Sequence, residues 1–152
     1  MDDISLRLLQ HHAAGLCCSQ IMLALALEEQ GRGDADLVRA MAGLCNGLGD
    51  CAGPCGVLSG GACLLASYAA KGAAEETAHE RFPLMLQTFT DWFRETMSGR
   101  FGGVTCGEIM GLENCGRPDP QRCGGILAEA YGRCLEILVE EGLDPSQPPS
   151  RV

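Results

Sequence analysis

The sequence predicts an all-α, single-domain helical bundle of about five to seven helices. Three observations carry that expectation: apolar residues recur at helical spacing through most of the chain, strand-type alternation is missing, and helix-start signals stand ahead of the apolar stripes. Composition agrees, since 46% hydrophobic residues with only 5% aromatic describe a core of Leu, Ala, Met, Ile and Cys suited to close-packed helices. At 152 residues the chain can bury a full core without crosslinks. Residues 1–143 read as one cysteine-rich helical domain and residues 144–152, proline-rich, as a flexible C-terminal tail.

The first helix is expected over residues 3–14, with Ile4, Leu6, Leu8, Leu9 and His12 in a loose helical pattern that Gly15 interrupts. A second covers residues 16–30 and sets Cys18, Ile21, Met22 and Leu25 on one face, with Cys17 and Cys18 in its opening turn. Asp34 is the expected N-cap of a short third helix, striped by Leu37, Val38, Met41, Leu44 and Cys45 and closed at Asn46-Gly47. A glycine loop leads to a fourth helix expected to begin at Pro54, because proline lacks an N–H that the first helical turn leaves unused. Along it Cys55, Ser59 and Cys63 lie one above another, while Gly56 and Gly60 form a face that admits a close neighbour.

Lys71-Gly72 ends that helix. Residues 73–97 read as a fifth, broken or kinked by Pro83, whose Phe82, Leu86, Phe89, Trp92, Phe93 and Met97 supply packing mass. After a glycine-rich turn, Thr105-Cys106-Gly107-Glu108 matches a capping box and makes Cys106 the first residue of another helix. Asp119 as N-cap and Pro120 as first helical residue open the last helix, which runs to about Glu141 with Cys123, Leu127, Ala130, Cys134 and Leu138 along one side.

A net charge of -9 argues against nucleic acid and against anionic membrane surfaces, and no basic patch offsets it. The N-terminal residues lack the basic start and apolar run of a secretory signal, so a cytoplasmic location is expected. Residues 51–70 carry no charge, but their proline, glycines and serines point to a buried helix rather than membrane insertion. The turn at 98–103 lacks the Lys-Ser/Thr of a phosphate loop, and no serine-centred or His-Glu-x-x-His motif suggests a hydrolase. His11, His12 and His79 read as solvated or capping residues.

Ten cysteines remain to be explained. In a reducing compartment a stable disulfide framework is not expected, which leaves metal binding or redox chemistry. Cys18, Cys55, Cys106 and Cys123 each fall at or near a helix start, where free N–H groups and the helix dipole favour a thiolate by about 0.3–1 kcal/mol apiece. If the four starts converge, they form an electropositive pocket. The chain has no Cys-x-x-Cys-x-x-Cys, no paired Cys-x-x-Cys and no Cys-x-x-Cys-His, so any four-cysteine site is assembled from separate helices. Cys63 and Cys134 read as packing. Cys17 and Cys115 stay open between ligand and bystander, while Cys45 and Cys51 flank the glycine loop and Cys51 could serve Cys55 as a resolving thiol.

Between about Gly15 and Cys134 the chain resembles the C-GCAxxG-C-C family of redox-active proteins. Cys18-Ser19-Gln20 is similar to its first cysteine motif, the run from Cys55 to Gly60 to its central motif, Phe101-Gly102 with Cys106 and Gly111 to its third, and Cys123 to its fourth. The resemblance implies a helical redox domain, and a related domain in a split-Soret type of cytochrome is associated with an iron–sulfur centre. The leading expectation is therefore an iron–sulfur cluster held by Cys18, Cys55, Cys106 and Cys123, used for electron transfer with a redox protein partner. Two alternatives stand beside it: a thiol–disulfide oxidoreductase or switch with Cys55 as nucleophile and Cys51 as its resolving partner, and a structural zinc or interaction module. The glycine-lined faces also allow a homodimer.

Overall fold

The computed structural model describes residues 1–149 and is all helical, with no strand among those residues. Seven α-helices follow in order: α1 (Asp3–Ala13), α2 (Cys18–Glu29), α3 (Ala35–Met41), α4 (Gly56–Ala69), α5 (Phe82–Phe101), α6 (Cys106–Met110) and α7 (Pro120–Glu140). No helix among them is long and apolar enough to cross a membrane.

The packing is organised around α2 and α4. Residues 21–27 of α2 are buried without interruption, which marks a helix surrounded by protein on all sides. Glycine lets α4 lie against it: a Cβ at Gly60 would stand 2.8 Å from the Ser19 Cα. One residue on, a Cβ at Gly61 would run into the Phe89 ring, so α5 approaches α4 almost as closely from another side. Helix α7 completes the core with Ile126, Leu127, Ala130, Tyr131, Cys134, Ile137 and Leu138, a buried stripe at helical spacing. A smaller apolar cluster of Leu23, Leu27 and Met41 seats α3 on α2.

Four boundaries depart from the sequence expectation. Pro54 does not begin α4; it forms an isolated antiparallel bridge with Thr105, and the helix starts at Gly56. The hydrogen bonds of that bridge belong to the flanking residues, Cys55 N–H to Val104 O at 2.8 Å and Cys106 N–H to Gly53 O at 3.1 Å, so proline's missing donor is not needed. Residues 73–81 are turns rather than helix. Pro83 sits in the opening turn of α5, where it starts the helix instead of kinking it. Finally, α3 tightens into a 3-10 turn (Ala42–Leu44) before the loop, and α5 continues to Phe101, where Gly102 turns left-handed at φ 82°.

Of the expected tail, residues 150–152 lie outside the described residues. Within residues 144–149, Asp144 accepts from the Ser146 N–H and the Pro145 carbonyl accepts from the Tyr68 hydroxyl at 2.8 Å.

Candidate functional site

Cys18 is the first residue of α2, directly after its N-cap Cys17, whose backbone N–H is held by the Gln20 side chain at 3.1 Å. Cys55 is the N-cap of α4. Cys106 opens α6 behind a reciprocal capping box, in which Glu108 N–H donates to Thr105 Oγ1 and Thr105 N–H to Glu108 Oε1. Cys123 lies in the first turn of α7, below the Asp119 cap that accepts from the Gln121 and Arg122 N–H groups. The Pro54–Thr105 bridge ties the segments that carry Cys55 and Cys106 together, with Cys55 opposite Val104 and Cys106 opposite Gly53, although they are far apart in sequence. Gly47 makes this possible, since a Cβ there would come within 3.0 Å of Cys106 Cβ and closer still to the Gly53 carbonyl.

All four thiols are free and all four line one cavity of about 210 Å³. The remaining wall is mostly apolar, with Leu8, Ile21, Val57, Ile126 and Leu127 among it and His12 contributing an imidazole. Cys55 is 8% exposed, and the other three are half-buried.

The thiols affect one another's ionisation. Interaction between Cys18 and Cys123 raises Cys18 far above the usual thiol range and lowers Cys123, so Cys123 is the readier of the two to lose its proton. Arg122 lowers Cys123 further while Asp119 opposes it. Burial pushes Cys55 up to about 11 against an ordinary 9.0, even though the Val57 and Leu58 N–H groups pull it down. The thiolate expected at this helix start is therefore not favoured there: a difference of that size is about 3 kcal/mol, more than a helix terminus returns. Cys106 is raised by burial and by its neighbour Cys123.

The four remaining cysteines around the site are paired, which corrects the expectation that no disulfide framework forms. Cys17 is bonded to Cys45 and Cys51 to Cys115, each with Cα atoms 6.0 Å apart. Cys51 is thus joined to Cys115 and offers Cys55 no free resolving thiol; its own backbone is left-handed at φ 65°. Cys134 is fully buried in the core and Cys63 half-buried beside α3.

Several residues of the site carried no signal in the sequence. Met110 Sδ accepts from the Cys123 thiol at 3.4 Å. Arg122 donates to the Ile109 carbonyl at 2.9 Å and lies over the Phe101 ring, joining α5, α6 and α7 next to Cys123. Ser19, fully buried, bridges the Met41 carbonyl and the Cys45 sulfur. The sequence singled out Cys45 and Cys51 beside the glycine loop, but their partners Cys17 and Cys115 follow no short spacing. Among the described residues no group of three or more His, Cys, Asp or Glu side chains is arranged to hold a metal ion.

A helical domain with four free cysteines on one cavity and two disulfides close by is a cysteine-centred thiol domain. The chain belongs to the family described as "Putative redox-active protein (C_GCAxxG_C_C)", whose model matches residues 16–137 and so spans all four free cysteines of the cavity. Neither the curated proteins nor the solved structures returned a match.

Proposed function

We propose that Cys18, Cys55, Cys106 and Cys123 work as one redox site, holding an iron–sulfur cluster that exchanges electrons with a protein partner. One observation carries this reading: four free cysteines, delivered by the starts of four helices, open onto a single apolar cavity of about 210 Å³. The donor set suits the group, because it is all thiol and soft sulfur ligands favour iron–sulfur over hard-cation chemistry. The bound group would supply one-electron chemistry.

The chain's own residues would prepare the ligands. Cys123 gives up its proton first, helped by its neighbours Cys18 and Arg122, and the Val57 and Leu58 N–H groups support negative charge on the Cys55 sulfur. Leu8, Ile21 and Leu127 give the cavity apolar walls beside the sulfurs. As the four thiols do not stand at single-ion spacing, loading requires them to draw toward a shared centre. Anaerobic reconstitution with ferrous iron and sulfide is expected to give stoichiometric iron and visible absorbance; a colourless protein that takes up neither contradicts the cluster.

A second reading rests on the Cys18–Cys123 pair. Two thiols that line one cavity and shift each other's ionisation, one raised and one lowered, suit a dithiol that closes to a disulfide, with Cys123 rather than Cys55 as the attacking sulfur. Reversible loss of both thiols on mild oxidation of metal-free protein is the outcome it expects.

A further inference from the structure

The Cys17–Cys45 disulfide lies outside the four-cysteine set, yet Cys17 lines the same cavity and is the neighbour of Cys18. We propose that Cys17 and Cys45 form a reversible redox couple of their own, exchanging with an external dithiol, and that Ser19 stabilises its reduced form.

The fold does not depend on this bond to hold α3. The 38–45 segment is already tied to the start of α2 by Gln20 Nε2 donating to the Val38 carbonyl at 3.2 Å and by Ser19 Oγ donating to the Met41 carbonyl at 2.8 Å. Apolar contacts of Leu23, Leu27 and Met41 add to these ties. Both cysteines of this pair are half-buried, whereas in the other disulfide Cys115 is half-buried but Cys51 is 1% exposed.

Ser19 supplies the chemical argument. Its single proton goes to the Met41 carbonyl, which leaves its oxygen lone pairs facing two sulfurs, Cys45 Sγ at 3.2 Å and Cys17 Sγ at 3.4 Å. A disulfide has no hydrogen to give them. In the dithiol either S–H can donate to Ser19 Oγ, so a fully buried acceptor finds its donor only after reduction.

The exchange balances as ordinary thiol chemistry. A thiolate of the external dithiol attacks one sulfur of the pair, the Cys17–Cys45 bond breaks as a mixed disulfide forms, and the released thiolate takes a proton. The second thiol of the reductant then closes its own disulfide and frees the remaining cysteine as a thiol. The pair gains two electrons and two protons, and the reductant loses them.

The test is a redox titration of the full-length, metal-free protein with dithiothreitol, followed by acid quench, alkylation and peptide mass mapping of each cysteine. The couple is expected to reduce and reoxidise reversibly with helical circular dichroism unchanged, ahead of Cys51–Cys115. Ser19→Ala should make it about fivefold harder to reduce, a shift of about 20 mV to more negative potential for two electrons. A bond that persists in excess dithiothreitol until the chain unfolds overturns the couple, even in wild-type protein. An unchanged potential in a folded Ser19→Ala variant overturns the role of Ser19. Neither result depends on whether iron binds.

Discussion

Burial and hydrogen bonding pull the four cavity sulfurs in different directions, although each sits at a helix start. At Cys55 the loss of solvent outweighs two N–H groups, while at Cys123 the neighbouring thiol and Arg122 outweigh burial. The four are consequently unequal as nucleophiles. At pH 8 only about one Cys55 in a thousand is thiolate, given its pKa of about 11. Iodoacetamide is expected to label Cys123 well ahead of Cys55 in metal-free protein, with mass mapping as the readout; the reverse order contradicts the assignment. The helix positions of Cys106 and Cys123 were legible because Thr105, Glu108 and Asp119 act within a few residues of them. Their ionisation was not, since it depends on sulfurs and an arginine gathered from several helices.

At the scale of the element, close helix approach decides the geometry. Gly60 lets α4 reach the backbone of α2 at Ser19, the residue after Cys18, so helix packing and site placement are one problem. Gly60→Ala forces a Cβ against backbone that cannot give way and should cost about 1–3 kcal/mol of stability. Gly99→Ala is its control. Gly99 lies within α5 with nothing within 4 Å of its Cβ position, and alanine there should gain about 0.5–1 kcal/mol. Urea denaturation of both variants checks the pair, and equal effects contradict the packing account. The small-residue face of Gly56 and Gly60 was visible in the sequence, but its partner was not. The start of α4 was misplaced for a similar reason: Pro54 suits a first helical turn and a bridge equally well, and Thr105, which decides between them, lies in another part of the chain. Pro83 misled in the other direction, because a proline inside an apolar stripe reads as a kink unless the preceding segment is known not to be helical.

For the whole molecule, the distribution of protonated thiols makes alkaline pH destabilising. Cys55 titrates at about 11 when folded and near the ordinary 9.0 when unfolded, so its burial as a neutral thiol stabilises the fold fully below pH 9. That contribution, about 3 kcal/mol at most, is lost as pH rises through 11. The core thiol of Cys134 and the hydroxyl of Tyr131 are raised by burial too and act in the same sense. The urea midpoint of metal-free protein should therefore fall between pH 8 and pH 11; a flat profile contradicts burial of neutral thiols.

The fold class was readable because helical periodicity is local and no strand pattern competed with it. The two disulfides were not readable, because ten cysteines allow many pairings and only the fold selects among them. The central claim is that four sulfurs serve a single site, and its most direct test compares Cys18→Ser, Cys55→Ser, Cys106→Ser and Cys123→Ser after anaerobic reconstitution. Iron and sulfide content with visible absorbance is the measurement. The account predicts that each substitution alone removes most of the iron and colour while the helical signal is retained. Full iron and colour in any one of the four variants would contradict it.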